Sequence, residues 1–353
     1  MNASNKLKSL RIAQIAPPWL RVPPDGYGGV ERMVGNLSEG LVNRGHDVTL
    51  FAPTGSRTKG RLISPLEQTP VHKGPGAADA DMIHMVTPYL MADEFDVIHD
   101  HTTSRIGPAL GAMLGGRPPV VHTLHMPWTD VRRRFFSRVD NRIHLVASSP
   151  SQAALNPEIS YTATIYAGID LEMHPLGNQK EDYLAFVGRC CSEKGTDIAL
   201  DISRAVDKPL VMILKHDDSS EREFFDEVVR PKMRNCDQVF EQPPHAEKIQ
   251  LMQAASATLF PIRWDEPFGQ VMAESLACGT PVIAMRRGAA KDLIVDGETG
   301  FLCDSVEGMI DAVGRVGDLA PQVCRQRVVD HFSAEAMIDG YENLYRSLLE
   351  QSA

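Results

Sequence analysis

The sequence has no long hydrophobic run. None of its 353 residues belongs to an uninterrupted apolar stretch close to the roughly 18 residues that a membrane-spanning helix needs. The first residues, MNASNKLKSLRIAQIA, also lack the apolar core of a secretory signal peptide. We therefore expect the protein to stay in the cytoplasm.

An excess of positive charge is missing as well. Lysine and arginine number 36 against 46 acidic residues, which leaves a net charge of −10. Because a nucleic-acid-binding protein needs a basic face, this balance argues against that class. The exception is a cluster formed by Arg132, Arg133, Arg134 and Arg138. It could hold an anionic acceptor such as a phosphorylated sugar or lipid headgroup, or contact acidic membrane, but a solvated helix face is the simpler interpretation.

Metal and redox motifs are also lacking. The six cysteines all lie in the second half of the chain and form no C-x-x-C pair, so we expect small buried residues rather than a zinc or redox site. Four histidines (His99, His101, His122 and His125) have a spacing that could surround a metal. Satisfied histidines at strand ends are more common, and we predict no metal and no other cofactor.

Two nucleotide-binding fingerprints are absent. No G-x-x-x-x-G-K-[ST] occurs, which excludes a P-loop, and no G-x-G-x-x-G follows the first strand. The second absence disfavours a dinucleotide-dependent oxidoreductase.

What the sequence does contain is an alternation of strands and helices, typical of parallel sheets covered on both faces. Residues 54–80 show little periodicity and are predicted to be a loop. The predicted strands are Leu10–Ala16, Asp47–Ala52, Phe95–His101, Pro118–Leu124, Ile143–Ala147, Thr162–Tyr166, Tyr183–Val187, Leu210–Leu214, Ala257–Pro261 and Pro281–Met285. The polar stretch Pro175–Glu181 separates two α/β domains, residues 1–175 and 180–330, each doubly wound, with ligands bound where their loops face one cleft.

A glycine cluster, Gly26-Tyr27-Gly28-Gly29, precedes a predicted helix that begins at Val30. Glycines allow a ligand to approach the backbone, and the free N–H groups of a helix start favour an anion. A flexible loop is the alternative.

The second domain carries two cations at an equivalent place. Arg189 and Lys194 lie between the strand Tyr183–Val187 and the next helix, where they could hold a phosphate or diphosphate. Solvated surface charge is the alternative.

A third motif places two carboxylates eight residues apart. Pro267 suits the first turn of a helix, which would put Glu266 at the helix start and Glu274 about two turns later on a similar side. Paired acceptor oxygens suit the vicinal hydroxyls of a sugar or ribose. An acidic helix start plus a surface glutamate would explain either residue alone.

Together these segments resemble glycosyltransferase family 4. The motifs are G-G-V-E (28–31), G-R with E-K-G (188–195), E-P-F-G followed by A-C-G-T-P-V-I-A (266–284) and D-G-E-T-G-F-L (296–302). The resemblance implies the GT-B fold, with two Rossmann-like domains facing across a cleft. It also implies a nucleotide-diphospho-sugar donor, retention of anomeric configuration, and a C-terminal helix, about 333–353, that packs back on the acceptor-side first domain.

The resemblance assigns roles by position. Arg189 and Lys194 match the pair that binds the donor diphosphate, and Glu274 matches the ribose ligand. The remaining matches are Glu266 with Phe268 and Gly269 near the donor sugar, Gly28 and Gly29 near the diphosphate, and His125 near the reacting sugar. Departures from the family pattern occur at Cys190-Cys191, Leu214-Lys215, Pro243-Pro244 and Tyr166-Ala167-Gly168-Ile169-Asp170.

The expected activity is transfer of a hexose from a UDP- or GDP-sugar to a hydroxyl of a sugar, lipid or small-molecule acceptor. An epimerase or phosphorylase on the same fold remains an alternative. So does a non-catalytic scaffold that binds a nucleotide sugar, although the intact charged motifs speak against lost activity. The sequence identifies neither the sugar, the base nor the acceptor.

Overall fold

A computed structural model describes residues 8–66, 77–177 and 179–351. All its sheet pairings between named strands are parallel. The first sheet contains β1 (Arg11–Ile15), β2 (Asp47–Phe51), β3 (Arg61–Ile63), β4 (Val97–Asp100), β5 (Val120–Leu124), β6 (His144–Ala147) and β7 (Tyr161–Thr164). The second contains β8 (Leu184–Arg189), β9 (Leu210–Lys215), β10 (Gln238–Glu241), β11 (Ala257–Phe260), β12 (Val282–Met285) and β13 (Gly300–Cys303).

Helices connect these strands. They are α1 (Gly29–Asn43), α2 (Ala77–Leu90), α3 (Ile106–Met113), α4 (Asp130–Phe136), α5 (Pro150–Ala154), α6 (Thr196–Ala205), α7 (Ser219–Phe224), α8 (His245–Ala254), α9 (Gln270–Ala277), α10 (Ala290–Leu293), α11 (Val306–Val313), α12 (Pro321–His331) and α13 (Ala334–Gln351). In α1 the apolar stripe of Met33, Val34, Leu37 and Leu41 is buried, as its helical spacing predicts. Helix packing of this kind covers the sheets.

Strand order fixes where ligands can bind. The first sheet runs β3-β2-β1-β4-β5-β6-β7 and the second runs β10-β9-β8-β11-β12-β13. In each sheet the order reverses beside the first strand of the domain, between β1 and β4 and between β8 and β11. Such a switch point opens a crevice at the carboxyl ends of the strands. The predicted doubly wound α/β architecture is confirmed.

The last helix returns to the first sheet. The chain crosses over where Ile169 N–H donates to Phe332 O (2.8 Å) and Ala334 N–H donates to Ile169 O (2.9 Å). Helix α13 then packs on α1. Arg44, directly after the last residue of α1, pairs with Glu342 of α13 at 2.9 Å. Three residues further along, Tyr345 is completely buried beside the first sheet. We call the first sheet with its helices the first lobe and the second sheet with its helices the second lobe. The C-terminal helix therefore contributes to the core of the first lobe.

The expectations about the 54–80 loop and about the cysteines were wrong. Residues 54–80 are not all loop, since they contain β3 and the start of α2; residues 67–76 of that stretch lie outside the described ranges. The three-residue β3 is too short to show a period, and two of its residues are exposed at the sheet edge. The cysteines are not uniformly buried either, because Cys191 is half-buried and Cys236 is exposed.

Across the described ranges, no helix combines the length and apolarity needed to cross a membrane.

The crossover depends on a glycine. A Cβ added to Gly168 would lie 2.6 Å from the Ala334 Cα and 2.9 Å from the Met337 Cβ, at the start of α13. Because the first of these contacts is to backbone, the helix itself would have to move.

We expect Gly168→Ala to lower the free energy of unfolding by about 1–3 kcal/mol, a cost typical of overpacking. Denaturant unfolding measures this. Gly317→Ala is the control, since nothing lies within 4 Å of its added Cβ. Equal stabilities of the two variants would show that the crossover tolerates displacement.

Candidate active site

A cavity of about 400 Å³ lies between the two lobes, at the carboxyl ends of both sheets. Its walls come from the β1–α1 loop and the residues after β5 on one side, and from the segments after β8, β9 and β11 on the other. The structure brings every predicted site residue to this cavity: Gly28, Gly29, His125, Arg189, Lys194, Glu266, Phe268, Gly269 and Glu274. Gly28 and Glu274, which lie 246 residues apart in the sequence, therefore meet at one place.

The glycine loop lets the lobes approach closely. Gly28 has φ of +139°, and a Cβ there would lie 2.9 Å from the Pro24 side chain. At Gly29 an added Cβ would lie 2.2 Å from Oε1 of Gln270, whose Nε2 donates to Gly29 O at 2.9 Å across the cleft. Because no side chain intervenes, the first N–H groups of α1 border the cavity.

Opposite this loop, the two predicted cations are held by carboxylates. Lys194 Nζ donates to Glu266 Oε2 at 2.6 Å, and the Trp264 indole N–H donates to the same oxygen at 2.7 Å. Arg189 Nη1 lies 3.2 Å from Glu221 Oε1. The ion pairs fix both cations at the end of β8 and in the turn after it.

Three further cations, which no sequence motif had placed at this site, also line the cavity: Arg32, Lys215 and Lys248. Within the described ranges, five cationic side chains and two carboxylates therefore form its walls. The whole chain has a net charge of −10. The cavity is therefore positively charged although the protein as a whole is negative. Such a cavity attracts anions, and its low-dielectric walls strengthen the attraction.

Helix α9 begins later than expected. Pro267 does not occupy its first turn, because the helix starts at Gln270 after Gly269 in a left-handed conformation (φ +81°). Phe268 is pulled into the core, where its ring centroid lies 6.0 Å from that of Phe332. Glu266 therefore sits in a loop, whereas Glu274 lies in the helix, and both still reach the cavity.

Glu274 is a buried carboxylate that remains charged. Lys248 Nζ donates to Glu274 Oε1 at 2.8 Å, and His174 Nε2 lies 3.7 Å from the same oxygen. Burial raises the pKa of Glu274, but Lys248 and His174 outweigh burial and hold that pKa well below its usual range. An ionised carboxylate only accepts hydrogen bonds, which suits the two hydroxyls of a diol.

A chain of hydrogen bonds connects α13 to His125. Gln14 Nε2 donates to the Tyr345 hydroxyl at 3.0 Å, so Gln14 Oε1 accepts from His101 Nε2 at 2.8 Å. The other nitrogen of His101, Nδ1, must then accept from His125 Nε2 at 3.2 Å. Burial, reinforced by the nearby His122, lowers the pKa of His125 to about 3. His125 is therefore a neutral ring whose bare nitrogen is Nδ1.

The histidines do not assemble into a metal centre. In the part of the chain that the structure describes, no three His, Cys, Asp or Glu side chains form a group able to hold a metal ion.

Comparison with known proteins agrees with this geometry. Residues 27–172 match the model of Glycosyltransferase Family 4, and residues 171–316 match that of Glycosyl transferases group 1. The D-inositol 3-phosphate glycosyltransferase of Acidothermus cellulolyticus is 25% identical to this chain. The alignment covers 96% of this chain and 89% of that protein.

Two solved structures share the fold. Sucrose-phosphate synthase from Thermosynechococcus elongatus superposes with a TM-score of 0.81 at 20% identity, covering 97% of this chain and 100% of that one. Anabaena HepE, solved in complex with UDP-glucose, gives a TM-score of 0.70 at 17% identity, with coverage of 97% and 99%. The chain belongs to glycosyltransferase family 4 and is a glycosyltransferase with the GT-B fold.

Some site residues carried no clear sequence signal. Trp264 lies two residues before Glu266, so its closeness to that motif could have suggested it. Lys248 lies in α8, outside every motif, and its pairing with Glu274 becomes visible only in three dimensions.

The hydrogen-bond chain predicts a tautomer. In the neutral His125 ring, Nε2 should carry the proton and Nδ1 should be bare. Long-range proton–nitrogen correlation NMR of the imidazoles distinguishes the two nitrogens, with assignment from the signals lost in His125→Asn. A bare Nε2 would contradict the chain of bonds through Gln14 and His101.

Glu31, in the first turn of α1, is buried, and burial raises its pKa to about 7. The folded state therefore binds the Glu31 proton more tightly than the unfolded state does. As a result, the free energy of unfolding falls as the pH rises from about 4.5 to 7. Glu31→Gln should be more stable than the unmodified protein above pH 7, by at most about 3 kcal/mol, and equally stable below pH 4.5. Thermal unfolding across this pH range tests this, with exposed Glu298→Gln as control. A pH-independent difference would contradict it.

Proposed function

We propose that this glycosyltransferase moves a hexose from a UDP- or GDP-sugar to a hydroxyl of a sugar, lipid or small-molecule acceptor, with retention of configuration and without a metal. The observation that carries the proposal is the excess of cations around the cavity, facing the glycine loop of the other lobe. A diphosphate is the part of such a donor that this arrangement fits. The donor seen with Anabaena HepE, UDP-glucose, belongs to the same class.

The roles follow from placement. Arg189 and Lys194 would stabilise the negative charge that grows on the diphosphate as the bond to the sugar breaks, together with the N–H groups beside Gly28 and Gly29. A preorganised set of this kind is usually the largest electrostatic contribution to catalysis. Phosphate oxygens would replace or share the carboxylate partners that hold the two cations in place.

The donor's other parts have matching neighbours. The ionised Glu274 would accept hydrogen bonds from the ribose diol. Glu266, with the backbone of Phe268 and Gly269, would contact the hexose, and His125 would approach it from the first lobe. With Nε2 committed to His101, the bare Nδ1 of His125 is an acceptor for a sugar hydroxyl.

Retention would arise from attack on the same face that the diphosphate leaves. A double displacement needs a free nucleophile, whereas Glu266 already accepts two hydrogen bonds, from Lys194 and Trp264. We assign Glu266 to orienting sugar hydroxyls, because Lys194 and Trp264 hold its Oε2 in place and its other oxygen can accept from a hydroxyl.

Arg189→Ala should leave the fold intact and lower the transfer rate by several orders of magnitude, because the leaving diphosphate loses a cation at the carboxyl end of β8. Turnover is measured with UDP- and GDP-sugars, and donor binding is measured by thermal shift. Arg230→Ala, a surface change whose arginine pairs with Asp226, is the control. Near-normal turnover in a folded Arg189→Ala protein would refute the diphosphate assignment.

A further inference from the structure

A second, smaller depression lies directly beside the cavity. Residues that line it include Thr102, Arg105, His122, His125, Trp128 and Arg132. His125 and Met126 belong to both, so a molecule in the depression would touch whatever occupies the sugar end of the cavity. All of its lining residues come from the first lobe.

We propose that this depression binds a phosphoryl group of the acceptor, so that the acceptor is a phosphorylated polyol or sugar; the inference rests on the glycosyl transfer proposed above. The phosphoryl group would contact Arg105, Arg132 and the Thr102 hydroxyl. A hydroxyl elsewhere on the same molecule would then face the donor sugar across His125.

Arg132 is oriented before any ligand arrives. Its Nη1 donates to Pro127 O at 2.6 Å, and Thr129 caps the helix by accepting from the Arg132 backbone N–H. The guanidinium is half-buried and keeps further donors for a ligand. Its neighbour Arg105 is exposed, and within the described ranges its guanidinium has no hydrogen-bond or ion-pair partner.

The two arginines repel each other. Burial, and then the charge of Arg105, lower the pKa of Arg132. Among the described residues that line the depression there is no carboxylate. Two guanidinium groups that face it favour a dianion, and their planar donor sets match phosphate oxygens.

Thr102 supplies an independent observation. The residue is 2% exposed, yet its Oγ1 has no hydrogen-bond partner, and the side chain lines the depression. Its backbone N–H is already satisfied by Asp100 Oδ1 at 2.7 Å. Because a buried hydroxyl without a partner is destabilising, a ligand oxygen that accepts from it would remove that cost.

The structure also separates the members of the basic cluster noted in the sequence. Arg133 pairs with Asp130 at 3.3 Å, and Arg134 and Arg138 are exposed outside the depression. Of the four arginines, Arg132 is the one that lines it. The cluster therefore does not act as one surface, and its solvated members provide matched controls.

The experiment compares acceptors that differ by one phosphate: glucose 6-phosphate with glucose, and myo-inositol 1-phosphate with myo-inositol. Vesicles of phosphatidylinositol in phosphatidylcholine, against phosphatidylcholine alone, test whether the phosphate belongs to a lipid headgroup. Transfer from the donor is measured for each, and hydrolysis of the donor without acceptor is measured in parallel.

We expect a phosphorylated acceptor to be preferred, and the preferred arm identifies its source. Arg132→Met and Arg105→Met should each raise the acceptor KM at least tenfold, and Thr102→Val severalfold, while donor KM and donor hydrolysis stay unchanged. Arg134→Met is the control and should behave as the unmodified protein does.

Preference for the neutral acceptors, or failure of every phosphorylated one to react while the donor is still hydrolysed, would overturn the inference. An unchanged acceptor KM in Arg132→Met and Arg105→Met would also overturn it. Absence of donor binding and hydrolysis would instead contradict the proposed function itself, so the two failures are distinguishable.

Discussion

The structure depends on bringing positive charge and free backbone N–H groups to one cavity in an acidic protein. Cations such as Arg189 and Lys194 come from the second lobe, and the N–H groups come from the glycine loop of the first. The two sets of groups line the same cavity from opposite sides. The topology supplies the meeting point, since both switch points open toward the same cleft.

The lobes are joined in a way that preserves this arrangement. The chain crosses between them at the segment around Ile169 and again before α13, and these crossings bond to each other. Through Tyr345 and Gln14, helix α13 is then linked to the histidines that approach the cavity. The end of the chain therefore supports the site, although it lies about two hundred residues from His125 in sequence.

Much of this organisation follows from sequence because the chemistry is local. The Arg189–Lys194 turn and the Glu266–Glu274 segment are short, and each must carry its functional groups at fixed spacing. Other features need tertiary information: Lys248 is recognisable only by its pairing with Glu274. The start of α9 was mispredicted because Pro267 suits a first turn, whereas burial of Phe268 and the left-handed Gly269 delay the helix.

The most direct test of the central claim is a crystal structure of the protein soaked with UDP- and GDP-sugars at saturating concentration. The account predicts diphosphate density between the Arg189–Lys194 turn and the backbone of Gly28 and Gly29, with the ribose at Glu274 and the hexose toward His125. Density bound elsewhere on the molecule, or none at saturation, would contradict it.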